Sequence, residues 1–156
     1  MNIFYSYFME INRNVIRPKS MIILANGKGV LATKGYDKTK DEHFYRIIGG
    51  GMNPGETSEA CIRREVQEEL GSELEHLNRR DVIENIFRYN GELGHEIVFL
   101  FEGQLSDRSL YQKESITIVE PFGEFEAVWV PIEDVLNFRV RLYPVYEYKK
   151  IFSQLV

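Results

Sequence analysis

The chain of 156 residues contains a single cysteine, Cys61. One thiol cannot form an internal disulfide, a secreted cystine framework or a zinc site of several thiolates. We therefore expect a reducing, cytoplasmic environment. Long apolar runs are also missing, because the longest ones, residues 21–25 and 97–101, are far shorter than the roughly 20 residues that span a bilayer. No membrane partner is expected.

Positive charge is scarce as well. The 19 Lys and Arg are outnumbered by 24 Asp and Glu, which gives a formal net charge of −5. No overall positive field is available to attract nucleic-acid phosphates, so we expect no nucleic-acid partner. The 44 % of hydrophobic residues and the absence of repeats or linkers indicate one domain over residues 1–156. The aromatic-rich residues 1–14 lack a basic leader and are interpreted as an edge strand or packing arm.

Apolar periodicity and turn signals predict an α/β chain. Asn90-Gly91 favours a hairpin with a connection longer than the minimal two residues, and Pro131 suits the first turn of a short helix. Residues 106–123 are predicted to be irregular, and the spacing of apolar residues over 145–155 predicts a terminal helix. The predicted strands cover residues 15–24, 30–36, 43–48, 81–89, 95–102 and 125–130.

A glycine-rich loop and a helix form the most informative stretch. Three glycines and Pro54-Gly55 predict a loop, Thr57 is suited to cap the helix that follows, and Gly71 can end it in a left-handed conformation. Within this helix, apolar residues recur every four positions and should pack on the sheet. They are Ile62, Val66 and Leu70.

Three acids, Glu65, Glu68 and Glu69, occupy positions i, i+3 and i+4 beside that apolar stripe. Like charges at this spacing repel one another. Arg64 can pair with Glu68, which leaves Glu65 and Glu69 facing the same space. Carboxylate oxygens on one face suit Mg²⁺ or Mn²⁺, and a backbone carbonyl of the glycine loop could add a ligand. The alternative is a solvated acidic face.

The stretch resembles the Nudix box of the Nudix hydrolases. Gly50 is followed after five residues by Glu56, and after seven more by Arg-Glu-Val-Gln-Glu-Glu-Leu-Gly at 64–71. The only departure is Ser72, where the family usually has an aliphatic residue. The resemblance implies an α/β/α sandwich around a mixed sheet and hydrolysis of a nucleoside diphosphate linked to another moiety. It also implies a divalent cofactor, Mg²⁺ or alternatively Mn²⁺.

The resemblance further assigns roles to individual residues. Glu65 and Glu69 match direct metal ligands, Glu68 matches a ligand or the catalytic base, and Arg64 matches the residue that orients a glutamate. Gly49 is the candidate carbonyl ligand, and Glu56 holds the loop against the helix. Because some Nudix enzymes use a glutamate beyond the box, Glu120 and Glu124 are candidates for an additional catalytic acid, with an ordinary exposed loop position as the alternative.

Residues on the neighbouring strands are candidates for binding the substrate. Aromatic rings can stack on a base and arginine can bind phosphate, although core packing is the alternative for the rings. The candidates are Arg46, Phe44, Tyr45, Phe87, Tyr89 and Glu96. His95 is interpreted as a hydrogen-bonded histidine of the sheet, since no nucleophile or metal-ligand spacing accompanies it.

The leading hypothesis is therefore a metal-dependent pyrophosphohydrolase whose partner is a small nucleotide or a nucleotide-like diphosphate. A nucleotide-binding sensor without turnover is the alternative, and the full set of box glutamates favours the enzyme. Removal of an RNA cap would need a basic path for the transcript, which the acidic composition does not support. A homodimer is compatible with the sequence.

Overall fold

Eight strands form one mixed sheet in the computed structural model, which describes residues 15–120 and 123–153. The strand order is β4-β5-β1-β3-β2-β7-β6, and β8 pairs with β3. Strands β1 and β5 are parallel, as are β3 and β8, whereas the other described pairs are antiparallel. The strands are β1 Arg17–Ile23, β2 Gly29–Asp37, β3 Glu42–Gly51, β4 Leu74–Tyr89, β5 Glu92–Leu105, β6 Ser115–Glu120, β7 Gly123–Pro131 and β8 Leu142–Tyr143.

Helices cover both faces of the sheet. Helix α1, Ser58–Leu70, contributes to one buried apolar cluster. Helices α2, Ile132–Leu136, and α3, Lys149–Phe152, contribute to a second cluster. The expected α/β/α arrangement around a mixed sheet is therefore confirmed. A 3-10 helix, Arg108–Gln112, precedes β6. Within the described residues, none of the helices is both long and apolar enough to span a membrane.

The ends of α1 follow from its sequence. Thr57 is the N-cap, and its hydroxyl accepts a hydrogen bond from the Ala60 N–H at 3.1 Å. Gly71 takes φ 65° and donates its N–H to the Gln67 carbonyl, which ends the helix. The predicted apolar stripe is buried against the sheet. These local signals thus hold the acidic face of α1 at the edge of the core.

The predicted irregular stretch 106–123 is wrong for its second half, because Ser115–Glu120 forms β6. Ile116 and Ile118 are buried, whereas Thr117 between them is exposed. This is the period of a half-buried strand. A strand of six residues carries only two such alternations, so its sequence signal is weak.

The hairpin of β4 and β5 is longer and tighter than predicted. Asn90 and Gly91 both have positive φ, and Tyr89 pairs directly with Glu92. The connection is therefore a minimal two-residue turn and not a longer one. The start of β4 was missed because bulges between residues 75 and 81 interrupt its alternation.

Two further predictions were wrong at their boundaries. The predicted third strand does not stop at Ile48, because Gly49 and Gly50 pair with Met21 and Ser20 of β1 and extend β3. The terminal helix is confined to Lys149–Phe152, and its predicted end at Leu155 lies outside the described residues. The predicted arm over residues 1–14 also lies outside them.

Candidate active site

The end of β3 brings the backbone close to both β1 and α1. Gly49 has φ 139°, and a Cβ there would overlap the carbonyl oxygen of Ser20. A Cβ at Gly50 would overlap the carboxylate of Glu65. At Gly49 both the positive φ and the backbone of β1 exclude a side chain, whereas at Gly50 a Cβ would displace only the carboxylate end of the flexible Glu65 side chain.

Arg64 ties the loop to the helix through three carboxylates. Its Nε and Nη2 bind the two oxygens of Glu56 at 2.7 and 2.9 Å. Its Nη1 contacts Glu65 Oε1 at 2.7 Å and Glu68 Oε2 at 3.2 Å. Nη2 also donates to the Gly51 carbonyl at 3.0 Å. The expected pair with Glu68 is present, but the expectation that Glu65 lacks a cationic partner is wrong.

Glu56 is the best-held acid of this network. It accepts the bidentate contact from Arg64 and a further hydrogen bond from the Asn53 N–H at 2.9 Å. These two contacts lower the pKa of the Glu56 carboxyl to about 2, and the carboxylates in turn raise the pKa of Arg64. The loop is thus held against α1 by a permanently charged pair.

The acids of α1 differ in exposure. The side chain of Glu68 is 60 % exposed, that of Glu65 is 12 % exposed, and Glu69 is buried. Among residues 15–120 and 123–153, no three His, Cys, Asp or Glu side chains converge closely enough to hold a metal ion. Arg64 holds Glu65 and Glu68 instead.

Of the two acids considered beyond the helix, the structure brings only Glu120 to this face. Burial raises the pKa of the Glu120 carboxyl, and the negative charges of Glu65 and Glu68 raise it further, while Arg46 acts in the opposite direction. Glu124 is exposed on β7, opposite Val119. The tertiary structure thus selects Glu120 as the acid close to the helix carboxylates.

Cys61 does not add a nucleophile to the site. It lies within α1, buried, with its Sγ 3.5 Å from the Gly51 carbonyl. Burial raises the pKa of its thiol to about 11. The thiol is therefore protonated at neutral pH, whereas only the thiolate is an effective nucleophile.

A pocket between β3 and the β4–β5 hairpin is lined by five of the six predicted substrate-binding residues. Phe44, Arg46, Phe87, Tyr89 and Glu96 line it. The Phe44 ring meets the rings of Tyr89 and Tyr143 edge to face, with centroids 5.7 and 5.6 Å apart. The pocket therefore has aromatic walls and charged groups within it.

A buried charge cluster at this pocket was only partly predicted. Glu96 Oε1 binds Lys19 Nζ at 3.0 Å and Arg17 Nη2 at 3.1 Å, while Oε2 accepts from Asn85 at 3.2 Å. Burial lowers the pKa of Lys19 to about 8, with Arg46 contributing in the same direction. The three partners of Glu96 were missed, because Arg17 and Lys19 precede the apolar run of β1 and meet Glu96 only through the pairing of β1 with β5, while Asn85 meets it through the pairing of β4 with β5.

Burial alone would raise the pKa of the Glu96 carboxyl, but the charges of Lys19, Arg46 and Arg17 outweigh it and lower the pKa. Glu96 is therefore ionised at neutral pH. Arg46 affects both Glu96 in the pocket and Glu120 beside the helix. This guanidinium consequently links the pocket to the acidic face of α1.

Two of the neighbouring candidates do not line this pocket. Tyr45 alternates with Phe44 and Arg46 along β3 and packs against the apolar cluster that contains Ile47. His95 pairs with Ile86 on the β4–β5 hairpin and is half-exposed. Tyr45 is thus a core residue, and the interpretation of His95 as a sheet residue agrees with its place in β5.

The family model of the NUDIX domain matches residues 15–149. The chain belongs to the NUDIX domain family. It is 41 % identical over 63 residues to the nucleoside triphosphatase NudI of an Enterobacter species, a match that covers 40 % of this chain and 43 % of that relative. It is 26 % identical over 147 residues to the RNA pyrophosphohydrolase of Erwinia tasmaniensis, covering 81 % of this chain and 78 % of the relative.

A solved structure shares the fold of this Nudix domain. It is described as a NUDIX hydrolase from Nitrosomonas europaea, with a TM-score of 0.59 and 15 % sequence identity. The likeness covers 90 % of this chain and 89 % of that chain. Together with the family match, it identifies the protein as a Nudix hydrolase.

The donor atoms of the site have the chemistry of ligands for the divalent metal that Nudix enzymes generally use, although no three of these side chains converge within the described residues. Glu65, Glu68, Glu69 and Glu120 supply only hard oxygen atoms, which suit Mg²⁺ and Mn²⁺. Three carboxylates share the single positive charge of Arg64. The resulting excess of negative charge favours a bound cation.

Proposed function

We propose that this Nudix hydrolase is a metal-dependent pyrophosphohydrolase that cleaves a nucleoside diphosphate linked to another moiety by attack of water on phosphorus. The observation that carries the proposal is the position of the Glu65 carboxylate. It lies directly in front of Gly50, forms an ion pair with Arg64 and raises the pKa of Glu120 through its negative charge. The acids of α1 and Glu120 are joined through Arg46 to the pocket, whose aromatic and charged side chains are suited to a planar, charged ligand. We also propose that the protein is located in the cytoplasm.

Glu65, Glu68 and Glu69 would hold the metal, with the Gly49 carbonyl as a further ligand. A bound divalent ion neutralises diphosphate charge and lowers the pKa of water. Arg64 keeps Glu68 directed along the helix face through its 3.2 Å contact. Glu56 and the Gly51 carbonyl bind the same guanidinium from the loop side, so Arg64 joins the loop to the helix.

Two acids are suited to take the proton from the attacking water. Glu68 is exposed and can meet a water molecule directly. Glu120 has a raised pKa because of its burial and its acidic neighbours, and a raised pKa makes a carboxylate a stronger base. We propose Glu68 as the base and treat Glu120 as the second candidate.

The pocket would bind the nucleotide part of the substrate. Phe44 and Phe87 each lie across a glycine of the neighbouring strand, Gly35 and Gly94 respectively. Phe44 is buried, whereas Phe87 is partly exposed and is therefore the ring that we propose to contact a base. Arg46, between the pocket and Glu120, is suited to contact a phosphate oxygen.

A release assay with Mg²⁺ or Mn²⁺ over dinucleoside polyphosphates, ADP-sugars, deoxynucleoside triphosphates, oxidised triphosphates and a 5′-triphosphate RNA would test the proposal. We expect metal-dependent release of a phosphate product from at least one small nucleotide, and its loss when the metal is chelated. Hydrolysis in ¹⁸O water should place one label on a phosphate product. Label found only on a carbon-bound hydroxyl would contradict the proposal.

The same assay separates the two other functions. Tight binding of a nucleotide with no turnover would indicate the sensor instead of the enzyme. Activity confined to the RNA substrate would contradict the expected lack of a nucleic-acid partner and would match the name of the Erwinia relative, an RNA pyrophosphohydrolase.

A further inference from the structure

Two hairpin turns meet beside the pocket. The β2–β3 turn comprises residues 38–41, and the β4–β5 turn consists of Asn90 and Gly91. In the strand order, β1 lies between β5 and β3. Among the described residues, no strand pairing joins the two hairpins at these turns. Hydrogen bonds and an ion pair that involve side chains hold the turns together instead.

Asp37 is the centre of this connection. It is the last residue of β2, and its side chain is buried. Oδ1 accepts hydrogen bonds from the N–H groups of Thr39 and Lys40 at 2.9 and 3.0 Å, which shapes the β2–β3 turn. Oδ2 accepts from the Asn90 N–H of the other turn at 3.3 Å and lies 3.4 Å from Lys40 Nζ. One carboxylate therefore binds both turns.

Two further hydrogen bonds strengthen the connection. The Lys38 N–H donates to Asn90 Oδ1 at 2.8 Å, and Lys40 Nζ donates to the Arg88 carbonyl at 2.6 Å. Burial alone would raise the pKa of the Asp37 carboxyl, but the hydrogen bonds from Lys40 and Asn90 and the charge of Lys40 outweigh it and lower the pKa. The carboxylate is therefore ionised at neutral pH, and hydrogen bonds to an ionised acceptor are the stronger ones.

The two connected hairpins carry opposite walls of the pocket. Phe44 and Arg46 line it from β3, and Phe87 and Tyr89 line it from β4. The ring of Tyr89, the residue before Asn90, meets the Phe44 ring edge to face with centroids 5.7 Å apart. Because each wall continues directly from one of the two turns, the distance between the turns influences the separation of the walls.

We propose that Asp37 is a positioning residue for the substrate, which joins the two turns and so holds the pocket walls at the separation that a nucleoside requires. The inference rests on the proposed function, because it takes the pocket as the site of the nucleoside. A pocket that is already formed binds its ligand more tightly, since its walls need no ordering on binding. Loss of the connection should therefore weaken binding of the nucleoside, whereas binding of the diphosphate at the acids of α1 should not change.

Calorimetry in the presence of Mg²⁺ tests this distinction. The probes are the α,β-methylene analogues of ADP, GDP, CDP and UDP, and methylenediphosphonate, which has the same linkage without a nucleoside. Asp37→Asn keeps the size of the side chain, but an amide has only one acceptor oxygen and no charge. We expect at least about tenfold weaker binding of the analogue that the wild type binds most tightly, and an affinity for methylenediphosphonate within about twofold of the wild type.

Asn90→Gly tests the connection from the other turn. Glycine tolerates the φ of 49° at residue 90, so the turn remains while the acceptor of the Lys38 N–H is lost. We expect about fivefold weaker binding of the same nucleoside analogue. Thr39→Ala is the matched control, since Thr39 is exposed and its hydroxyl makes no hydrogen bond within the described residues. It should bind both kinds of probe as the wild type does.

Hydrogen exchange of the free protein separates the connection from a local role of Asp37 in its own turn. Asp37→Asn should accelerate exchange in residues 38–41 and in residues 90–91, whereas acceleration confined to 38–41 would overturn the inference. It would also be overturned by unchanged nucleoside binding in both variants, or by equal weakening of the nucleoside analogue and methylenediphosphonate. A wild type that binds none of the nucleoside analogues more tightly than methylenediphosphonate would instead overturn the proposed nucleotide site, and this inference with it.

Discussion

The carboxylate of Glu65 occupies the space directly in front of Gly50, so that a Cβ at residue 50 would overlap it. This contact joins the last pairing residues of β3 to the acidic face of α1. It explains why the box needs a glycine here although Gly50 does not require a positive φ. The absence of a side chain at Gly50 leaves space for the Glu65 carboxylate. The wider range of backbone conformations open to glycine is not used at this position.

We predict that Gly50→Ala lowers kcat at least about tenfold while it changes the free energy of unfolding by no more than about 1 kcal/mol. The methyl group displaces the flexible end of Glu65, which costs little stability but moves a proposed metal ligand. Steady-state kinetics and urea unfolding measure the two effects.

Gly51→Ala is the matched control, because a Cβ at residue 51 meets no atom within 4 Å. It should keep both activity and stability near the wild-type values. Equal losses of activity in Gly50→Ala and Gly51→Ala would show that displacement of the Glu65 carboxylate does not cause the loss.

A second prediction concerns the base. Glu68→Gln should lower kcat at least about 100-fold with little change in KM, because the neutral amide cannot accept the proton. Glu59→Gln, on an exposed acid of the same helix that pairs with Arg63, should leave kcat within about twofold. If Glu68→Gln retains activity and Glu120→Gln loses it, the base is Glu120.

The third prediction tests the geometry of Arg64. Arg64→Lys should restore only part of the activity lost in Arg64→Ala, because an ammonium group cannot bind both oxygens of Glu56 while it contacts Glu65 and Glu68. Kinetics of the two variants at saturating metal measure this difference. Full activity in Arg64→Lys would mean that a point charge is sufficient.

The fourth prediction concerns pH and stability. The pKa of Glu56 is about 2 in the folded protein, against an ordinary value of 4.5. A carboxyl whose pKa is lowered by folding stabilises the fold fully above its unfolded pKa, and this contribution is lost as the pH falls through the folded pKa. Glu56→Gln should therefore be destabilising at pH 7, and its difference from the wild type should shrink between about pH 4.5 and 2.

Urea unfolding of the wild type and Glu56→Gln at a series of pH values measures that difference. Glu59→Gln again provides the control, because Glu59 is an exposed acid of the first turn of α1. A difference between the wild type and Glu56→Gln that stays constant from pH 7 to 3 would mean that the contact with Arg64 does not stabilise the fold.

The loop, the helix and their caps were predictable from the sequence, because their signals are local. Thr57, Gly71 and the apolar stripe of α1 act within a few residues along the chain, where helix geometry fixes which side chains share a face. The Nudix resemblance rests on the same short stretch. The acidic face and the contact of Arg64 with Glu68 therefore followed from spacing, whereas the contact of Arg64 with Glu65 did not.

The partners of that face were decided by the tertiary structure. Glu120 reaches the acids of α1 because β6 packs beside the helix, and Lys19 meets Glu96 because β1 and β5 are parallel neighbours. Neither contact leaves a pattern in the sequence, since strand order is set by long-range burial and not by neighbouring residues. The sequence thus determined the loop and helix that carry the proposed catalytic acids, while strand pairing determined the pocket and brought Glu120 close to them.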